Sequence, residues 1–161
     1  MTADQFDVFA ASLRTVFETM LNLPVVVERP SVLDGAAPAF EVRAEVEFSG
    51  AATGRAAMLM SADTGRKLAA IFAGAALAPG HRDFDDAIGE LAHMVCGGAK
   101  GLFGVDGAWI SCPSVDSGGG RLALRRRAPG AVRLIGRSEC GDIEMEIEVT
   151  LASEGGREAA A

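Results

Sequence analysis

Apolar residues recur at helical spacing from the start of the chain: Phe6, Phe9, Ala10, Leu13, Val16, Phe17, Met20 and Leu21. That pattern predicts an amphipathic helix over 3–22, with Thr2 and Gln5 as a capping box ahead of it. Pro24 stops the helix, and Val25, Val26 and Val27 before Pro30 read as a short strand. After a loop marked by Asp34-Gly35 and Pro38 the period changes to two. Phe40, Val42, Ala44, Val46 and Phe48 alternate with Glu41, Arg43, Glu45 and Glu47, as in a half-buried antiparallel strand. A turn at Gly50 to Gly54 leads to the apolar run Ala56 to Met60, a more buried strand completing a hairpin.

Ser61 or Asp63 caps a second helix carrying Leu68, Ile71 and Phe72, which ends near Gly74. A third helix runs from about Arg82 to Gly101 and buries Phe84, Ala87, Ile88, Leu91, Val95 and Leu102. Beyond it the pattern predicts a strand at Ala108 to Cys112, with Cys112 buried, a loop at Gly118 to Gly120 and a strand from about Leu122. Ala131 to Arg137 forms one more strand, and Gly141-Asp142 turns into a last one, where Ile143, Met145, Ile147, Val149 and Leu151 alternate with Glu144, Glu146, Glu148 and Thr150. Helices mixed with hairpins predict a two-layer α+β domain over 1–152, an antiparallel sheet covered by long helices on one face. A loose tail follows at 153–161.

Composition narrows the function. The net charge of −7 disfavours nucleic acid, and Arg125, Arg126 and Arg127, without interleaved aromatics, read as a solvated loop edge. No basic-then-apolar leader and no apolar run of about 18 residues is present, so a cytoplasmic protein off the membrane is expected. Cys96, Cys112 and Cys140 are odd in number, widely spaced and in no metal-ligand pattern, which fits reduced thiols.

The third helix carries the chemistry. Opposite its apolar face, Asp86, Glu90, His93, Gly97 and Lys100 follow one another at steps of 4, 3, 4 and 3. Such a stripe is ordinarily the wet side of a surface helix. Against that plain reading stand a histidine within it and two glycines, Gly89 and Gly97, each costing up to about 1 kcal/mol in a helix. Small residues there let a partner approach the backbone.

The segment DDAIGELAHMVCGGAKG, residues 85 to 101, resembles the signature helix of the CheX/CheC chemotaxis phosphatases: Asp or Ser, three residues, Glu, two residues, Asn. Asp86, Glu90 and His93 occupy those positions. FETMLNLPVVVERP at 17 to 30 resembles the family's first helix and strand, and ISCPSV at 110 to 115 its strand with a proline. The resemblance implies docking on the receiver domain of a phosphorylated CheY-type response regulator, in chemotaxis or two-component signalling, and hydrolysis of its aspartyl phosphate. It implies that Glu90 contacts the regulator's active-site lysine and that His93 stands where an asparagine orients the attacking water. It also implies that the regulator supplies the Mg²⁺ and that a homodimer can form. Asp86, Gly89, Gly97 and Lys100 then belong to the partner-binding surface.

Histidine for asparagine is the departure from the pattern, because imidazole is bulkier and accepts a hydrogen bond only when neutral. Two functions therefore stand side by side: a phosphatase, or a non-catalytic module that binds a regulator or another signalling partner without hydrolysis. Glu90-x-x-His93 is also half of a di-iron helix motif, but the second half is missing and no metal site is expected. Gly97 to Gly101 lacks the spacing of a phosphate loop, and no second histidine is placed to activate Ser111 or Cys112.

Overall fold

The computed structural model describes residues 3–29, 40–118 and 131–152. Thr2, the loop residues Asp34, Gly35 and Pro38, the strand expected near Leu122, the Arg125 to Arg127 run and the tail from Ser153 lie outside the described residues.

The 3.6-residue apolar period folds as helix at all three places where it occurs: α1 (Ala3–Leu21), α2 (Ala62–Ala73) and α3 (Arg82–Leu102). Local chemistry sets the ends of α2. The Ser61 side chain accepts a hydrogen bond from the Thr64 N–H at 3.1 Å, and Gly74 closes the helix at φ 70° with its N–H on Ala70 O at 2.9 Å. The capping box expected ahead of α1 rests on Thr2 and so lies outside the described residues.

The strands are β1 (Val26–Glu28), β2 (Val42–Gly50), β3 (Ala52–Met60), β4 (Ala108–Ile110), β5 (Ser114–Asp116), β6 (Val132–Ser138) and β7 (Gly141–Leu151). They form one antiparallel sheet in the order β1-β6-β7-β3-β2-β4, with β5 also paired to β2. The α+β expectation is met. On the helix-covered face, Val42, Ala44, Val46 and Phe48 of β2 are buried with Met58 and Met60 of β3 and Ile143, Met145 and Ile147 of β7. Phe9 of α1, Phe48 of β2 and Phe103 after α3 meet edge to face, with ring centroids 5.9 to 6.1 Å apart. No described helix is long and apolar enough to cross a membrane.

The opposite face of the sheet carries the other half of each alternation, neutralised across the strands. Arg133 of β6 grips Glu144 of β7 with two bonds of 2.5 and 2.6 Å, and Arg55 of β3 holds Glu148 at 3.3 Å. Arg43 of β2 bonds Glu45 at 2.6 Å. Ala57 and Leu59 are buried on this face among those long side chains.

Two burial expectations are corrected. Leu102, assigned to the core of the third helix, is 56% exposed, and the residue after it, Phe103, packs at that end instead, against Phe9 and Phe48. Cys112 is exposed rather than buried, because β4 ends at Ile110 and Cys112 falls in the connection to β5.

Candidate functional site

Helix α3 is held from behind. Phe84, Ile88, Leu91 and Val95 are fully buried, and the Ser12 hydroxyl of α1 donates to Val95 O at 2.6 Å. Gly98 makes that approach possible, since a Cβ there would lie 2.3 Å from Ser12 Oγ. Asp83 and Asp85 in the first turn and Lys100 in the last complement the helix dipole.

The segment from Ala108 to Ser117 runs back along the exposed flank of α3, antiparallel to it. Lys100 Nζ sits 5.7 Å from the ring centre of Trp109. One turn back, the Cβ position of Gly97 faces Ile110 Cδ1 at 3.7 Å. Further on, the Cβ position of Gly89 lies 3.1 Å from both Pro113 Cγ and Val115 Cγ2. At the N-terminal end, the buried Ser117 hydroxyl donates to Asp85 Oδ1 and accepts the Gly80 N–H at 2.9 Å. Helix and returning segment together make a platform spanning about 22 Å, taking the 15 residues from Asp85 to Lys100 at 1.5 Å each.

An open groove of about 360 Å³ lies at the N-terminal half of this platform, lined by Asp85, Asp86, Gly89, Glu90, Pro113 and Val115. Three of its lining residues carry carboxylates, of which Asp85 already accepts a hydrogen bond from the Ser117 hydroxyl, and Pro113 and Val115 are apolar. Asp86 pairs with Arg82 at 3.8 Å in an exposed contact that holds it weakly. Glu90 is exposed and makes no ion pair with any described residue, so its carboxylate is open to an incoming cation. His93, one turn further along, is half-buried and does not line the groove.

Asp86, Gly89 and Glu90 are thus brought together at the groove, while Gly97 and Lys100 stand beside β4. Gly89 is buried, and its missing side chain is filled by Pro113 and Val115 of the same chain. Sequence reasoning missed Asp85, Pro113 and Val115 as groove walls and Trp109 as the neighbour of Lys100. The single tryptophan on a short segment after a glycine turn was the one available signal. Ser111 is committed to structure, its hydroxyl accepting the Glu47 N–H at 3.0 Å and donating to Cys112 O at 2.9 Å. Among the described residues no group of three His, Cys, Asp or Glu side chains could hold a metal ion.

The family model described as chemotaxis phosphatase CheX matches residues 42–134, more than half of the chain and all of α3 with its returning flank. The chain belongs to the CheX family. No curated protein matches the sequence. Among solved structures, the CheX-family fold is similar to chemotaxis protein CheX from Vibrio vulnificus at TM-score 0.76 and 23% identity, covering 92% of this chain and 97% of that one. A CheC-like superfamily protein from Shewanella sp. PV-4 is similar at TM-score 0.75 and 22% identity, with 93% and 99% coverage. The CheX–CheY–BeF₃–Mg²⁺ complex from Borrelia burgdorferi is similar at TM-score 0.74 and 15% identity, with 92% and 99% coverage.

Proposed function

We propose that this protein docks on the phosphorylated receiver domain of a CheY-type response regulator through the exposed flank of α3 and promotes hydrolysis of its aspartyl phosphate. The observation that carries the reading is Glu90: a carboxylate without an ion-pair partner among the described residues, lining an open groove, with His93 three residues further along the same helix. Family membership supports the class of activity. A CheX relative of the same fold is complexed with CheY, BeF₃ and Mg²⁺, which supports the class of partner.

In this reading Glu90 receives the regulator's active-site lysine in a charge-assisted hydrogen bond, seating the phosphorylated carboxylate opposite His93. The neutral imidazole of His93 accepts a proton from a water as that water attacks phosphorus in line. The bond from phosphorus to the aspartyl oxygen breaks, the carboxylate leaves with the bonding pair, and inorganic phosphate is released. The regulator brings its own Mg²⁺. Phosphoryl transfer through a loose transition state asks mainly for positioning and charge neutralisation, so two side chains on one rigid helix suffice. A homodimer acting in the cytoplasm belongs to the same reading.

A second reading, docking without turnover, is favoured by one observation: His93 occupies the position of the family's asparagine and lies outside the groove. The two are separated by following loss of aspartyl phosphate from receiver domains in Mg²⁺ with the wild type, His93→Asn and Glu90→Ala. Acceleration by wild type that vanishes in Glu90→Ala establishes the phosphatase. No acceleration by wild type, but a gain in His93→Asn, establishes the binding module. A regulator that is neither bound nor hydrolysed by any of the three proteins refutes both.

A further inference from the structure

The C-terminal half of the platform holds the most exposed aromatic side chain among the described residues. Trp109 is 67% exposed on β4, which among the described residues pairs only with β2, and Leu102 on the last turn of α3 is 56% exposed. A tryptophan held in water by a three-residue strand contributes little to its own core. The ring lies close over the backbone of β2: a Cβ at Gly50, already excluded by Gly107 O at 2.2 Å, would lie 3.0 Å from Trp109 Cδ1. Lys100 leans over the same ring at 5.7 Å.

Along the helix the charge changes sign, from Asp85, Asp86 and Glu90 at one end to Lys100 beside Trp109 at the other. Ten residues separate Glu90 from Lys100, about 15 Å on a straight helix. The platform therefore presents two unlike contact points at a fixed spacing: a carboxylate that takes a cation, and an indole flanked by an ammonium that takes an apolar side chain next to a carboxylate. Tryptophan is among the residue types that carry most of the binding energy at protein interfaces.

We infer that Trp109, with Lys100, is the affinity anchor of the docking surface, gripping an apolar and acidic patch of the receiver domain about 15 Å from the point where Glu90 meets its lysine. This rests on the receiver being the partner. It adds a division of labour along α3: the Glu90 end acts on the phosphorylated site, and the Trp109 end sets how tightly, and to which receiver, the protein holds.

Trp109 is the only tryptophan in the chain, so replacing it with 5-fluorotryptophan gives one ¹⁹F resonance that reports on this spot alone. Unlabelled receiver domains activated with BeF₃⁻ and Mg²⁺ are titrated in, with calorimetry as an independent measure of binding. The expected result is a saturable shift of the resonance, a Kd raised about tenfold or more in Trp109→Ala, and a smaller rise in Trp109→Phe, which keeps a ring and guards against a folding artefact. Lys100→Glu also raises the Kd. Calorimetric binding with an unmoved resonance and an unchanged Kd in Trp109→Ala overturns the anchor and leaves the docking function standing. A resonance that moves with the protein's own concentration and not with receiver assigns the spot to a second copy and overturns the proposal. No calorimetric binding to any activated receiver overturns the docking function and the anchor together.

Discussion

At the scale of single residues, burial and exposure separate groups that look alike in sequence. Burial pushes the Cys96 thiol up to about 12, whereas Cys112 stands exposed in the connection between β4 and β5. The thiolate is the reactive form, so alkylation by iodoacetamide in the native state marks Cys112 first and reaches Cys96 only when the protein opens. Mass spectrometry of the labelled peptides checks the order. The same burial makes stability depend on pH. The folded value of Cys96 lies above the ordinary thiol value of about 9, so its contribution is whole below pH 9 and is lost as pH rises toward 12. At pH 10.5 the expected loss is about 2 kcal/mol relative to pH 8, at 1.36 kcal/mol per unit. Urea unfolding of Cys96→Ala should lack that part of the slope.

At the scale of elements, α3 was the most legible part of the sequence, and its errors have local causes. The apolar spacing identified the buried face at Phe84, Ile88, Leu91 and Val95, but it does not say which residue at the end of the helix turns inward, so Leu102 was assigned to the core where Phe103 packs. Gly89 shows a different limit. Its small size was legible, but the neighbour that needs the space was not, and Pro113 and Val115 fill it from within the chain. The three-residue β5 was missed because Pro113 and the short run after it give no alternation to read. The crossing of α1 and α3 depends on Gly98 in the same way. Gly98→Ala forces the Ser12 hydroxyl off Val95 O and strands it in a buried position, which should cost about 1–2 kcal/mol by chemical denaturation. In a Ser12→Ala background the cost of Gly98→Ala shrinks, because the hydroxyl is already gone, and the double-mutant cycle reads the coupling directly.

At the scale of the whole molecule, the class of fold followed from the alternation of periods, but the order of strands did not. Nothing local to residues 141–151 says that β7 inserts between β6 and β3, since that choice is made by the buried surface it covers on both sides. The alternation likewise placed Glu144 opposite the apolar row without showing its burial: Glu144 is only 3% exposed and is gripped twice by Arg133. Glu144→Ala removes that grip from a guanidinium on a nearly dry face and should destabilise the domain by about 3 kcal/mol, measurable as a lowered urea midpoint.

The central place of β7 also bears on the order of events during synthesis. Strand β3 is complete at Met60, but the partner that covers its second edge begins only at Gly141. At roughly 5–20 residues per second, a ribosome takes on the order of 10 s to make the intervening stretch. For that interval the nascent chain carries a bare sheet edge, and α3 is already synthesised without a finished surface to rest on. A chain stalled before residue 141 would be the species most exposed to chaperones and to mispairing.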